Sequence, residues 1–146
     1  MVGRLIANVR EGRMQKLLAA STALSALTAF SAVGLGFEIY LEHYKGSFGD
    51  KWMWTPIFLT PPLTAAGVAG VFSEKHARTT LPAISAVYAL DGLIGVYTHV
   101  RGVERRPGGF KETHYNLVMG PPLLAPGSLA LVGAMGVLAA VVKRER

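Results

Sequence analysis

The sequence contains no cysteine among its 146 residues. Disulfides, thiolate metal sites, iron–sulfur ligation, thiol nucleophiles and covalent haem attachment are thereby excluded. Charge is scarce too, at 16% of residues, against about 25% in an ordinary soluble domain. There is no phosphate-binding glycine loop, dinucleotide fingerprint, Gly-x-Ser-x-Gly elbow or His-Glu-x-x-His pair. At this length there is room for one compact unit and no second domain.

What remains is apolar. Hydrophobic residues make up 51% of the chain and the mean hydropathy is positive. Residues 17–37, 52–73 and 115–142 carry no charge, and 79–100 carries one acid, Asp91. Each run reaches the ~20 residues that a helix needs to cross ~30 Å of hydrocarbon. Inside lipid a helix satisfies its own backbone hydrogen bonds, so helices are the economical reading of such runs. Polar or glycine-rich connections separate them at 42–51, 74–78 and 101–114. Ahead of the first run, Val2, Leu5, Ile6 and Val9 recur at helical spacing among Arg4, Arg10 and Arg13, the pattern of a short amphipathic helix lying on a membrane surface. A basic start before an apolar run also resembles a secretory signal. This run is longer than a signal core, so the segment is expected to be retained.

The two halves of the chain look alike. Glu42-His43-Tyr44-Lys45-Gly46 matches Thr98-His99-Val100-Arg101-Gly102, and 60–67 matches 120–127, each with Pro-Pro near its start and Gly at its end. The expected fold is therefore all-α: a four-transmembrane-helix bundle in one integral membrane domain, 1–146. It is built from two repeated helical hairpins, about 17–73 and 79–142, with the short N-terminal interfacial helix ahead of them. Two hairpins of this kind insert the same way up and relate by a pseudo-twofold along the membrane normal. Both Pro-Pro pairs are expected to kink or unwind their helices at similar depth. Small residues such as Ala29, Gly70, Gly92 and Gly133 allow close helix approach.

Lys and Arg number nine on the side of the two termini and six on the other. This places both termini in the cytoplasm of a bacterial-type plasma (inner) membrane. The net charge of +6 is split among membrane flanks, so it reads as topology and anionic-lipid contact and not as nucleic-acid binding.

Chemistry-bearing residues cluster toward the outer loops. His43, His99 and His114 lie there, as do most of the aromatics. His43 and His99 occupy matching repeat positions and would face each other. Two neutral imidazoles on different helices suit a six-coordinate b-type haem; the alternative is that each hydrogen-bonds a carbonyl or a lipid phosphate. Asp91 sits near the middle of its span, where an ionised carboxylate is costly. It would serve either as a proton or quinone-hydroxyl partner or as a neutral acid bonded to a Ser or Thr of the first span. Glu38 would pair with Lys45 or Arg101. No pair of Glu-x-x-His motifs is present, so a di-iron site is not expected.

The leading functional expectation is a non-catalytic integral subunit that anchors or stabilises a larger bioenergetic, electron-transfer complex. It would do so without a cofactor of its own, meeting other subunits through its outer loops and small-residue helix faces. The alternative is an electron-transfer subunit that holds haem b or a quinone at His43, His99 and Asp91. A proton- or lipid-handling role centred on Asp91 is the third.

Overall fold

The computed structural model describes residues 2–142. The basic C-terminal cluster Lys143-Arg144-Glu145-Arg146, part of the charge asymmetry, lies outside the described residues. Helix dominates, and no strand occurs among the described residues. Four long helices form the body: α1 (Val2–Lys45), α2 (Thr55–Phe72), α4 (Thr80–Glu104) and α6 (Leu124–Val141). The short α3 (Glu74–Arg78) joins α2 to α4, and α5 (Thr113–Val118) precedes α6. Two 3-10 turns, Lys51–Trp54 and Gly109–Glu112, sit in the two longer connections.

Four stretches are long and apolar enough to cross a membrane: Arg4–Lys45, Lys51–Phe72, Glu74–Glu104 and Leu124–Val141. The distribution of side chains fits lipid better than water. The interior holds small and hydroxyl residues, including Ser21, Ser25, Thr28, Ala32 and Ser85, all buried. Leu63, Leu81, Tyr88 and Leu129 fill the core, but many large apolar groups point outward: Phe30 is 81% exposed, Phe72 85% and Leu124 85%. A water-soluble bundle places such groups the other way round.

α1 differs from expectation at its start. It runs 44 residues without a break, about 66 Å at 1.5 Å per residue, roughly twice a hydrocarbon core. No separate interfacial helix precedes it. Residues 2–16 contain no proline and several strong helix formers, so nothing there ends the hydrogen-bond ladder. Val2, Leu5, Ile6 and Val9 stand exposed on this extension.

The four long helices form a ring in which α1 packs on α2 and α6, and α4 packs on α6 and α2. Contacts within each hairpin, α1 with α2 and α4 with α6, are more extensive than those between hairpins. The same device welds both hairpins. On α1, Ser25 and Ala29 meet Gly67 and Gly70 of α2; a Cβ on Gly67 would fall 2.9 Å from the Ala29 Cβ and 3.0 Å from the Ser25 carbonyl. On α4, Ser85 and Ala89 meet Gly133 and Gly136 of α6; a Cβ on Gly133 would fall 2.6 Å from the Ser85 carbonyl. Only glycine permits such backbone approach.

Three of the buried hydroxyls find backbone acceptors, whereas Ser85 Oγ, packed against Gly136, has no hydrogen-bond partner among the described residues. Ser21 Oγ donates to the Ala139 carbonyl at 2.8 Å, tying α1 to α6. Ser25 Oγ donates to Ser21 O at 2.8 Å and Thr28 Oγ1 to Leu24 O at 2.7 Å within α1. In a medium without water these bonds are the outlet such groups require.

The two Pro-Pro pairs behave differently. Pro61 and Pro62 lie inside a continuous α2, whereas Pro121 and Pro122 lie in the non-helical stretch before α6. Measured from the packed glycines, the first pair ends five residues before Gly67 and the second eleven before Gly133. Equal letters thus occupy unequal places, and only the second pair separates two helices.

The welds make a direct expectation. Gly133→Leu should destabilise the protein by about 2 kcal/mol or more through overpacking, read by thermal or denaturant unfolding in detergent. Gly34→Leu, at a position with open space beside it, should stay within about 0.5 kcal/mol of the parent.

Candidate functional site

At the end of the bundle that carries the two longer connections, the hairpins stand apart around a cavity of about 580 Å³. This size is in the range of small-ligand sites. One wall comes from the end of α1 and the start of α2, with Ile39, Glu42, His43, Thr55 and Pro56. The facing wall comes from α4 and the approach to α6, with Asp91, Gly95, His99, Pro122 and Pro126. Arg101 and Arg105 stand at its loop end.

His43 and His99, from opposite hairpins, are both half-buried and both line this cavity. His43 Nδ1 lies 2.7 Å from the Met53 carbonyl oxygen. His99 Nδ1 lies 2.7 Å from the Pro122 carbonyl oxygen. A carbonyl only accepts, so each Nδ1 carries the proton, and in the neutral ring each Nε2 is left with a free lone pair. His43 stands within electrostatic range of both His99 and Asp91.

Local sequence explains why those carbonyls are available. Asp50 caps the turn Lys51–Trp54, its Oδ1 accepting from Trp52 N–H at 2.9 Å, and the turn presents Met53 O to His43. Pro121-Pro122 keeps its stretch out of α6, so Pro122 O faces His99 and not a helical N–H. The rim above His43 is conformationally strained. Ser47 (φ 56°) and Phe48 (φ 47°) are non-glycine residues in the left-handed region, where side chains crowd the backbone. Phe48 is held there by its N–H donating to His43 O at 3.0 Å and by stacking on Trp54 at 4.1 Å between centroids.

Asp91 reaches a threonine, but of α2 and not of the first span. Thr55 Oγ1 lies 2.6 Å from Asp91 Oδ1 and 2.9 Å from the Trp52 carbonyl. One hydroxyl proton serves one acceptor; a proton on the Asp91 carboxyl satisfies both, running Asp91 to Thr55 to Trp52 O. A second rung of the same form lies one turn away. Thr60 Oγ1 donates to Pro56 O at 2.7 Å, leaving the buried Tyr88 hydroxyl to donate to Thr60 Oγ1 at 3.2 Å. Hydroxyl rungs therefore span the α2–α4 seam, where glycine welds span the two seams within the hairpins.

Other sequence candidates fall elsewhere. His114 is exposed and outside the cavity lining. Lys45 bonds Glu42, and Arg101 pairs with Glu104 at 3.3 Å, so neither takes Glu38 as its partner. No group of three or more His, Asp or Glu side chains suited to a metal ion occurs among the described residues. Thr55, Arg105 and Asn116 escaped sequence reasoning. Asn116 is fully buried and clamps the long connection: its Nδ2 donates to Pro107 O at 3.0 Å and Gly109 O at 2.8 Å, and its Oδ1 accepts from Arg106 Nε at 3.2 Å. A polar residue two positions after His114, in a run without charge, was the available signal.

No protein-family model, curated protein or solved structure matches this chain.

The two clamps can be probed by substitution. Asn116→Ala strands the Arg106 and backbone partners and should cost about 1–3 kcal/mol, seen as a lowered unfolding midpoint and faster proteolysis in the 105–112 connection. Thr55→Val should cost about 1 kcal/mol, in keeping with interhelical hydrogen bonds in membranes, and Asp91→Asn less, because the amide can still donate to Thr55.

Proposed function

We propose that this chain is a non-catalytic integral membrane subunit of an electron-transfer assembly, holding a quinone-type redox ligand in the cavity at its long-loop end. One observation carries this reading: His43 and His99, from opposite hairpins, line the same apolar cavity with each Nδ1 committed to a carbonyl. Each Nε2 is then an acceptor for a ring hydroxyl, and the Asp91–Thr55 pair, which joins the two walls, adds a third polar contact. Proline and aliphatic groups such as Pro126, Ile94 and Leu129 supply the apolar sides a flat ring needs.

A b-type haem between the same two residues is the second reading. Neutral imidazoles whose Nδ1–H groups are anchored on backbone carbonyls are the form that metal-ligating histidines adopt. The fit lies in that anchoring; Arg101 and Arg105 at the loop end would meet the anionic edge of such a group.

The membrane placement is part of the proposal. The nine-to-six distribution of Lys and Arg supports cytoplasmic termini in a bacterial-type plasma membrane, with the cavity opening on the opposite face. Other subunits would meet the chain at its long loops and at small-residue positions such as Gly34 and Gly127, beside which space is open.

Both tryptophans, Trp52 and Trp54, lie at this end of the bundle, and Trp52 lines the cavity, so quinone binding is readable as quenching of tryptophan fluorescence. Purified protein in nanodiscs should be quenched saturably by the reduced, dihydroxy form, kept anaerobic, whose ring O–H groups can donate to Nε2. His43→Ala and His99→Ala should each weaken binding about tenfold, the loss of one hydrogen bond of ~1.4 kcal/mol. Absence of saturable quenching removes the quinone reading. For haem, the purified protein should carry a Soret band that both substitutions abolish; its absence after haem addition removes that alternative.

A further inference from the structure

We infer that the ligand enters this cavity sideways from the bilayer, through a groove between α2 and α4, and that it is a neutral-headed molecule on a long hydrocarbon tail. This inference rests on the cavity reading above and specifies the route and the part of the ligand outside the cavity.

A second concavity, of about 370 Å³, lies on the lipid-facing side of the α2–α4 seam. Its floor is apolar: Phe58 and Leu59 from α2, Val87 and Leu90 from α4. Three residues, Thr55, Asp91 and Ile94, line both this groove and the cavity. The two spaces therefore share a wall, and the Asp91–Thr55 hydrogen bond of 2.6 Å forms the polar sill between them. The seam is also the least extensively packed side of the four-helix ring. Within each hairpin glycine brings backbones together, but here hydroxyl rungs from Thr55 and Thr60 span the gap. Phe58, Val87, Leu90 and Ile94 remain exposed along this face.

Depth selects the head. Asp91 precedes His99 by eight residues on α4, about 12 Å along the helix, so the sill lies toward the interior of the span. A charged phosphate passing there would lose its water beside a carboxyl group, at a cost of several kcal/mol per ion. Arg101 and Arg105, which would hold an anion, stand at the loop end of the cavity. A neutral ring bearing hydroxyl or carbonyl oxygens can exchange hydrogen bonds with Thr55 and Asp91 as it passes. It then reaches the free Nε2 atoms of His43 and His99 while its tail stays against Phe58, Val87 and Leu90. That chemistry is a long-tailed membrane quinone in its dihydroxy form, whose O–H groups can donate to those Nε2 atoms.

The test uses full-length protein in phosphatidylcholine nanodiscs and tryptophan quenching by two benzoquinones in their reduced, dihydroxy form, kept anaerobic, one with a decyl tail and one without, with concentrations referred to the bilayer. The tailed quinone should bind at least tenfold more tightly. The double substitution Val87→Phe/Leu90→Phe fills the groove from its lipid side. It should abolish that advantage and leave the tailless quinone within twofold of the parent, which also reports that the protein is folded. Leu131→Phe, on the exposed face of α6, adds similar bulk away from the groove and should change neither. Equal binding of the two quinones, or indifference of the tailed one to the groove substitutions, overturns the lateral route and leaves the cavity reading standing. Displacement of the tailed quinone by phosphatidylglycerol overturns the neutral-head selection. Failure of both quinones to quench the parent protein overturns the cavity reading itself.

Discussion

The contact of glycine backbone with a serine–alanine ridge is the interaction on which the architecture depends. Gly67 and Gly70 against Ser25 and Ala29, then Gly133 and Gly136 against Ser85 and Ala89, make each hairpin a closely joined unit. Lipid offers no hydrophobic reward for helix association, so close approach and internal hydrogen bonds must supply it. The two units then oppose one another less intimately, and the space between them is where the cavity opens. A site made between two closely packed halves draws one histidine from each, and needs no long loop to bring them together.

Polarity is distributed to match. Hydroxyls share the interior with a few core leucines and meet carbonyls such as Ala139 O, while phenylalanines and many other large apolar groups cover the outside. Toward the long-loop end the interior turns from single hydroxyls to imidazoles, carboxyls and guanidinium groups. The gradient runs from a dry packed end to one able to hold a polar ring, and it is carried mostly by α1 and α4, whose ends bear His43 and His99.

The spans were legible because a run of some twenty uncharged residues has few alternatives in physics. The continuity of α1 was not, because hydropathy marks where lipid begins and not where a helix bends; proline is the residue that divides a helix outright, and none exists between Val2 and Lys45. The matched histidines and the intramembrane acid were visible as residue types and now line one cavity. Their partners, Met53 O and Pro122 O, were not visible, since any residue supplies a carbonyl. The Pro-Pro pairs misled for a related reason: their effect depends on distance from the packed glycines. The recurring Ser-x-x-x-Ala and Gly-x-x-Gly spacings give that register, and they can be read in the letters once contact is known to depend on them.

α1 has one more consequence. A single hydrogen-bonded rod runs from Val2, beyond one edge of the apolar stretch, to Lys45 at the other, and no proline interrupts it. Whatever grips the projecting stripe of Val2, Leu5, Ile6 and Val9 holds the far end of the same lever. With no joint between, tilting the handle must swing His43 relative to its opposite number on α4.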